Sequence, residues 1–170
     1  MADAVSYDYT GGASTTYSVA NQGGLTVLYR VIDVPTVIAA AAGTGLASAS
    51  KITAAESIAV FTLPIGFLIG GTVVYIKTAG TAAGTIDVGV PESEAAFDAA
   101  IDTATAGVWH ISGTDAGGMA AANGTMVDSR ATDYDTVIVQ FNADETIGRF
   151  VVAVWGIDFS PMLDLAANAT

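Results

Sequence analysis

The sequence is short of the side chains on which most enzyme mechanisms depend. Its 170 residues include only five lysines and arginines together, one histidine and no cysteine. Nucleophiles, general bases and electrophilic groups are drawn largely from these residue types. The single histidine, His110, lacks the partners for a catalytic triad or a zinc site. The sequence therefore predicts no catalytic residue, no metal site and no cofactor.

Basic residues are too few for binding to nucleic acid. Seventeen acidic residues give a formal net charge of −12, with a pI near 4.1. A protein that binds nucleic acid uses Lys and Arg to neutralise phosphates, and docking on anionic lipid needs the same residues. We therefore expect neither nucleic acid nor membrane as a partner. A strongly acidic surface is instead typical of a protein that stays soluble.

Carboxylates are the most abundant ionisable groups in the sequence. Asp98 and Asp102 are one helical turn apart if their segment is helical, and Asp133 and Asp135 flank Tyr134. Paired carboxylates can hydrolyse glycosides or bind Ca²⁺. Neither pair has the loop sequence of a calcium-binding hand, so we interpret these residues as solvated acids.

Long apolar runs are also missing. Gly, Thr or Pro interrupts the hydrophobic stretches well short of the ~20 residues that a membrane span needs. Residues 1–5 have neither the basic nor the apolar region of a secretory signal. These features predict synthesis and folding in a cytoplasm.

The N-terminal segment, residues 1–24, has neither a helical nor a strand period. Tyr7, Tyr9 and Tyr17 are spaced among Gly, Ser, Thr and Ala. Tyrosine combines an apolar ring with a hydrogen-bonding tip and suits contact surfaces. We predict an extended arm that binds another chain through these three tyrosines.

The remaining sequence is patterned for strands. Eight are predicted, at residues 25–34, 56–63, 67–78, 85–90, 107–111, 125–129, 135–141 and 149–159. A loop is expected at 36–51, and Pro and acids at the start of 91–101 favour one short helix there. Eight strands without βαβ alternation predict an all-β fold, a two-sheet antiparallel β-sandwich. A jelly roll is the first choice and an immunoglobulin-like sandwich the second, with the domain at 25–162 and a tail at 163–170.

Two predicted strands are apolar on both faces. They contain Ile138 and Phe141 in one case, and Val152, Val154 and Trp155 in the other. Such strands are expected at the centre of a sheet, or with an outer face covered by another subunit. Trp109 and Trp155 are accordingly predicted to be core or interface residues.

The order of strands and turns resembles small jelly-roll proteins on the heads of tailed viruses. A strand ends in Leu63-Pro64-Ile65-Gly66, a later strand contains Ile86-Asp87-Val88-Gly89, and the last strand ends in Gly156-Ile157-Asp158. The resemblance covers residues 55–160. It implies a capsid decoration or cement protein of a bacteriophage, located on the virion surface. Its expected partners are the major capsid protein and itself, as a homotrimer.

Two other classes remain open at this stage. One is a different virion component, such as a fibre, a turret protein or a receptor-binding protein. The other is a non-viral β-sandwich binding module. The shortage of catalytic residues disfavours an enzyme in every case.

Overall fold

In the part of the chain that the structure describes, the protein forms two antiparallel four-stranded sheets and one short helix. A computed structural model describes residues 25–42, 50–91, 93–111 and 136–159. In chain order the elements are β1 (Leu25–Asp33), α1 (Val34–Ala42), β2 (Ser57–Thr62), β3 (Phe67–Thr78), β4 (Thr85–Val90), β5 (Ser93–Asp102), β6 (Trp109–Ile111), β7 (Thr136–Phe141) and β8 (Arg149–Asp158). The predicted arm at 1–24, strand at 125–129 and tail at 163–170 lie outside the described residues.

The strand order identifies the fold. One sheet has the order β1-β8-β3-β6 and the other the order β2-β7-β4-β5, with every neighbouring pair antiparallel. The first strand therefore pairs with the last, and the second with the last but one, which is the eight-stranded jelly-roll arrangement. The predicted two-sheet sandwich is confirmed. The immunoglobulin-like alternative is excluded, because its sheets have a different strand order.

The core lies between the two sheets. It contains the fully buried Phe67, Phe97, Phe141 and Phe150, with the rings of Phe141 and Phe150 centred 6.5 Å apart. Each fully buried side chain of this size contributes roughly 1.5–3 kcal/mol to folding. The two strands predicted to be central, β7 and β8, each lie between two neighbours, and that prediction is confirmed.

The predicted loop at 36–51 was wrong over its first part, because α1 occupies Val34–Ala42. Pro35 lies in the first turn, where its missing N–H costs nothing. The Thr36 hydroxyl donates a hydrogen bond to the Asp33 carboxylate at 2.9 Å. Val34 and Val37 are buried in the core. The helix is too short to be stable alone, so this packing stabilises it.

The predicted helix at 91–101 was also wrong, because β5 occupies Ser93–Asp102 and pairs with β4. Phe97 and Ile101 are four residues apart, a spacing that places two side chains on one face of a strand as well as on one face of a helix. Between the pairs Ile86–Ile101 and Val88–Asp98, one residue of β4 faces two of β5. The extra residue forms a bulge, and Phe97 and Ile101 are both buried in the core.

Candidate functional site

The outer surface of the β1-β8-β3-β6 sheet is apolar across its whole width. Directly opposed residues on paired strands share a face, and the row Val31, Val151, Tyr75 and Trp109 crosses all four strands. We call this surface the apolar face. It consists of Leu25, Val27, Tyr29, Val31, Leu68, Gly70, Val73, Tyr75, Trp109, Ile111, Val151, Ala153, Trp155 and Ile157.

The exposed hydrophobic residues are concentrated on this face. Six of the eight large apolar side chains that the described residues expose belong to it: Leu25, Val31, Trp109, Ile111, Trp155 and Ile157. Single exposed apolar residues are ordinary, but a continuous patch marks an interaction surface. The apolar face is therefore the candidate functional site.

Trp155 lies over a glycine at the centre of the face. A Cβ built on Gly70 of β3 would overlap the carbons of the Trp155 ring, and a larger residue there would displace the indole. The pairing of β3 with β8 shifts register between Ile69 and Gly71. This register shift is a β-bulge, and the missing Cβ of Gly70 lets the indole lie close to the sheet.

Trp109 stands at the edge of the face on β6. Its ring stacks on Tyr75 with the ring centroids 4.3 Å apart, yet the residue is 63% exposed, compared with 39% for Trp155. Neither tryptophan is in the core. Their contact with another chain remains a prediction, as does that of Tyr7, Tyr9 and Tyr17, which lie outside the described residues.

Charge is confined to the ends of the apolar face. Asp33, Lys77 and Arg149 lie at one end, with Asp33 directly opposite Arg149, and Asp158 ends β8 at the other. At the first of these ends, Asp33, Thr78, Ile147 and Arg149 line an open groove of about 420 Å³. Between the two ends, every outward position is uncharged.

The second sheet has a different outer surface. Asp87 of β4 lies opposite Gln140 of β7, and Thr136 of β7 faces outward beside them. The other acids of the described residues, apart from Asp33 and Asp158, lie in this sheet or in the loops: Glu56, Asp87, Glu94, Asp98, Asp102, Asp144 and Glu145. The protein thus has one polar, acidic side and one apolar side.

A buried carboxylate fixes the loops at one end of the sandwich. Glu145 is 0% exposed and accepts hydrogen bonds from the Thr81 N–H at 2.6 Å and the Thr103 hydroxyl at 2.9 Å. Its backbone exchanges two hydrogen bonds with Ile52. Four chain segments meet at this residue. Because its oxygens are occupied by structural donors, we assign Glu145 a structural role, which no motif in the sequence indicated.

The neighbouring Asp144 is exposed and paired. Lys51 donates a hydrogen bond to its carboxylate at 2.5 Å, and the Ala54 N–H donates another at 3.0 Å. The hydrogen bond from Lys51 is the larger reason that the pKa of Asp144 lies below its ordinary value of 3.8, and the one from Ala54 lowers it further. This ion pair connects the residues before β2 to the β7–β8 loop.

The carboxylate pairs considered from the sequence do not form a reactive centre in the described part of the chain. Asp98 and Asp102 lie on a strand, so they are not one helical turn apart, and Asp102 accepts a hydrogen bond from the Ala104 N–H. Asp133 and Asp135 lie outside the described residues. Within residues 25–42, 50–91, 93–111 and 136–159, no three His, Cys, Asp or Glu side chains are grouped to hold a metal ion. Over the same ranges, the structure contains no helix with the length and apolarity to span a bilayer.

Solved structures with the same fold come from phage capsids. A chain of the cyanophage Pam1 capsid asymmetric unit matches with a TM-score of 0.51 and 16% identity, over 89% of this chain and 99% of that one. A chain of the Ralstonia phage GP4 capsid matches with a TM-score of 0.53 and 14% identity, over 92% and 98%. At 16% and 14% identity, the likeness shows that the fold is shared. The resemblance predicted from the sequence is confirmed as a likeness of fold. No protein-family model and no curated protein matches this chain.

Proposed function

We propose that this chain is a structural protein of a phage virion, a decoration or cement protein that binds the assembled capsid and stabilises it. The observation that supports this best is the shared fold with chains of two phage capsids over nearly the full length of both members of each match. The matched chains are therefore of similar size to this one. They are not single domains of much larger subunits.

The surfaces of the molecule suit a role in assembly better than one in catalysis. Its most prominent feature is an apolar face without charged groups between its ends. A carbohydrate-binding site would need several polar groups beside its aromatic rings to bind hydroxyls, whereas the apolar face has no charged group between its ends. The shortage of His, Lys, Arg and Cys supports the same conclusion.

Stabilisation of the capsid would follow from mass action. A protein can bind the assembled lattice and not its dissociated subunits. When its free concentration is a hundred times its Kd, each bound copy stabilises the assembled state by about 2.7 kcal/mol. The major capsid protein is the proposed partner and the capsid surface the proposed location. The outer side of the second sheet, which carries Asp87, would face the solution, and the net negative charge of the protein would keep particles apart.

The proposed contact with the capsid is the arm at residues 1–24, and the protein would act as a homotrimer. Tyr7, Tyr9 and Tyr17 are the proposed anchors, since buried aromatic anchors each contribute about 2 kcal/mol or more to an interface. Deleting residues 2–20 should leave a folded protein that no longer binds particles. Replacing the three tyrosines by Ser should have the same effect, whereas replacement by Phe should retain most of the binding.

The decisive experiment compares particles with and without this protein. Particles that lack it should assemble but release their genome at a lower temperature, and adding the purified protein back should restore the release temperature. In mature particles the protein should be present in many copies spread over the lattice. Particles that are equally stable without it but fail to adsorb to host cells would instead identify a receptor-binding protein.

A further inference from the structure

We infer that the apolar face binds a second copy of this chain, so that Trp109 and Trp155 are buried between subunits. The proposed function already includes a homotrimer; the inference adds the surface through which the copies bind, and it is tested on the isolated protein in solution. It starts from the unusual composition of the face, which has the apolar content of an interior and yet is exposed in the single chain.

The face is large enough to hold two copies together. Strands β1, β3 and β8 contain 9, 12 and 10 residues, which corresponds to about 30 Å of length at roughly 3.3 Å per residue. Four strands at a spacing of about 4.8 Å give a flat area of roughly 500 Å². Two such faces together reach the ~1,000 Å² that a specific interface needs. The area of one face, roughly 500 Å², lies at the upper end of the apolar patches that a monomer leaves exposed.

The distribution of charge favours a second copy as the occupant. Two chains of net charge −12 repel each other on average. They can approach closely only through a surface without carboxylates, and the apolar face is such a surface between its charged ends. An uncharged apolar surface is complementary to itself, as an interface between identical chains requires. A partner attracted by charge would bind the acidic side instead.

The shape of the face fits sheet-on-sheet packing. The Trp155 ring lies close to the sheet over Gly70, and Trp109 stacks on Tyr75 at the edge, so the side chains form an extended layer over the strands. Two sheets pack face to face about 10 Å apart. Two copies could bury their faces against each other, or three could turn them towards a three-fold axis. Either closed assembly covers the face.

The position of the tryptophans provides a direct test. The chain contains two tryptophans, and both lie on the apolar face, so fluorescence excited at a wavelength that tyrosine does not absorb reports on this surface alone. The full-length protein is diluted from high micromolar to low nanomolar concentration. Emission and acrylamide quenching are recorded, and light scattering gives the mass at the concentrated end. We expect an oligomer with blue-shifted, protected emission that becomes red-shifted and quenchable on dilution.

Charge substitutions identify the surface. Val31→Lys and Ile157→Lys place an ammonium group on the apolar face, and each should raise the dissociation constant of the oligomer about tenfold or more. The control is Ala95→Lys, an exposed position on β5 in the other sheet, which should leave the dissociation constant unchanged. Circular dichroism verifies that each variant is folded. The dilution series of the unaltered protein remains decisive if a variant fails to fold.

Two outcomes would overturn the inference. A monomer with protected tryptophans at every concentration would mean that the face is covered by the same chain. A monomer with quenchable tryptophans at every concentration would mean that a different protein covers it. Failure of the proposed function is distinguishable, because a protein that associates through this face but does not bind capsids leaves the inference intact.

Discussion

The ring of Trp155 lies over Gly70 on the neighbouring strand, where a Cβ would overlap the ring carbons Cζ3, Cε3 and Cη2. Glycine is therefore required at position 70 by close approach and not by backbone conformation, since Gly70 does not have a positive φ. This contact fixes the indole at the centre of the apolar face.

Substituting the glycine should disturb both stability and the tryptophan environment. Gly70→Ala should lower the free energy of unfolding by about 1–3 kcal/mol, because the ring or the strand must move to accommodate the methyl group. Urea denaturation followed by circular dichroism measures this loss. Gly70→Ala should also cost less in a Trp155→Ala background, where no ring is present to overlap. An equal loss in both backgrounds would assign the effect to the backbone instead.

The buried carboxylate at position 145 gives a second prediction. Glu145→Ala should lower the free energy of unfolding by about 3 kcal/mol, because the Thr81 N–H and the Thr103 hydroxyl lose a charged acceptor. Glu145→Gln keeps the shape and one oxygen, so its loss should be smaller. The control is Asp144→Ala at the exposed neighbouring residue, which should have the smallest effect in urea denaturation. A harmless Glu145→Ala variant would contradict the structural role.

The irregular strand β5 allows a matched comparison of two adjacent alanines. Ala100 has a φ of 54°, in the left-handed region, and its N–H donates a hydrogen bond to the Asp87 carboxylate at 2.6 Å. Ala100→Gly should raise the free energy of unfolding by up to about 1 kcal/mol, because glycine adopts this φ without strain. Ala99→Gly should lower it by about 0.5–1 kcal/mol. Thermal and urea denaturation measure the stability of both variants. An equal change in the two would contradict backbone strain at Ala100.

Local sequence patterns were sufficient for much of the fold. The strands predicted at 67–78 and 85–90 have the bounds of β3 and β4, because the patterns that define them depend on neighbouring residues alone. The helix expected at 91–101 failed because Pro and acids can begin a helix locally, whereas pairing with β4, which the local sequence does not show, makes this segment a strand. The helix α1 was missed because its stability comes from burial of Val34 and Val37 in a distant core.

The apolar face was only partly predictable for a related reason. The two-sided apolar pattern of β8 indicated a covered outer surface, but the patterns of β1 and β6 do not show that these strands extend the same surface. Their contribution depends on which strands lie beside β8 and β3, and sheet order is a property of the whole chain. Glu145 was missed on the same ground, since Thr81 and Thr103 are far from it in sequence.

The exposed ion pair between Lys51 and Asp144 predicts a specific pH dependence. The pKa of Asp144 is lowered below its ordinary value of 3.8, first by the hydrogen bond from Lys51 and then by that from Ala54. A carboxyl whose pKa is lower in the folded state stabilises the fold above its unfolded pKa, and the contribution is lost as the pH falls through the folded pKa. Lys51→Met should therefore reduce the urea midpoint near neutral pH and have progressively less effect below pH 3.8.

The comparison between Lys51→Met and the unaltered protein isolates this pair from the other carboxylates, which titrate in both. Because the pair is exposed, added salt should reduce the difference near neutral pH. In an Asp144→Asn background, Lys51→Met should have little effect at any pH, since no carboxylate remains to be paired. A difference that persisted unchanged as the pH falls well below 3.8 would show that packing of the lysine stem, and not its charge, is responsible.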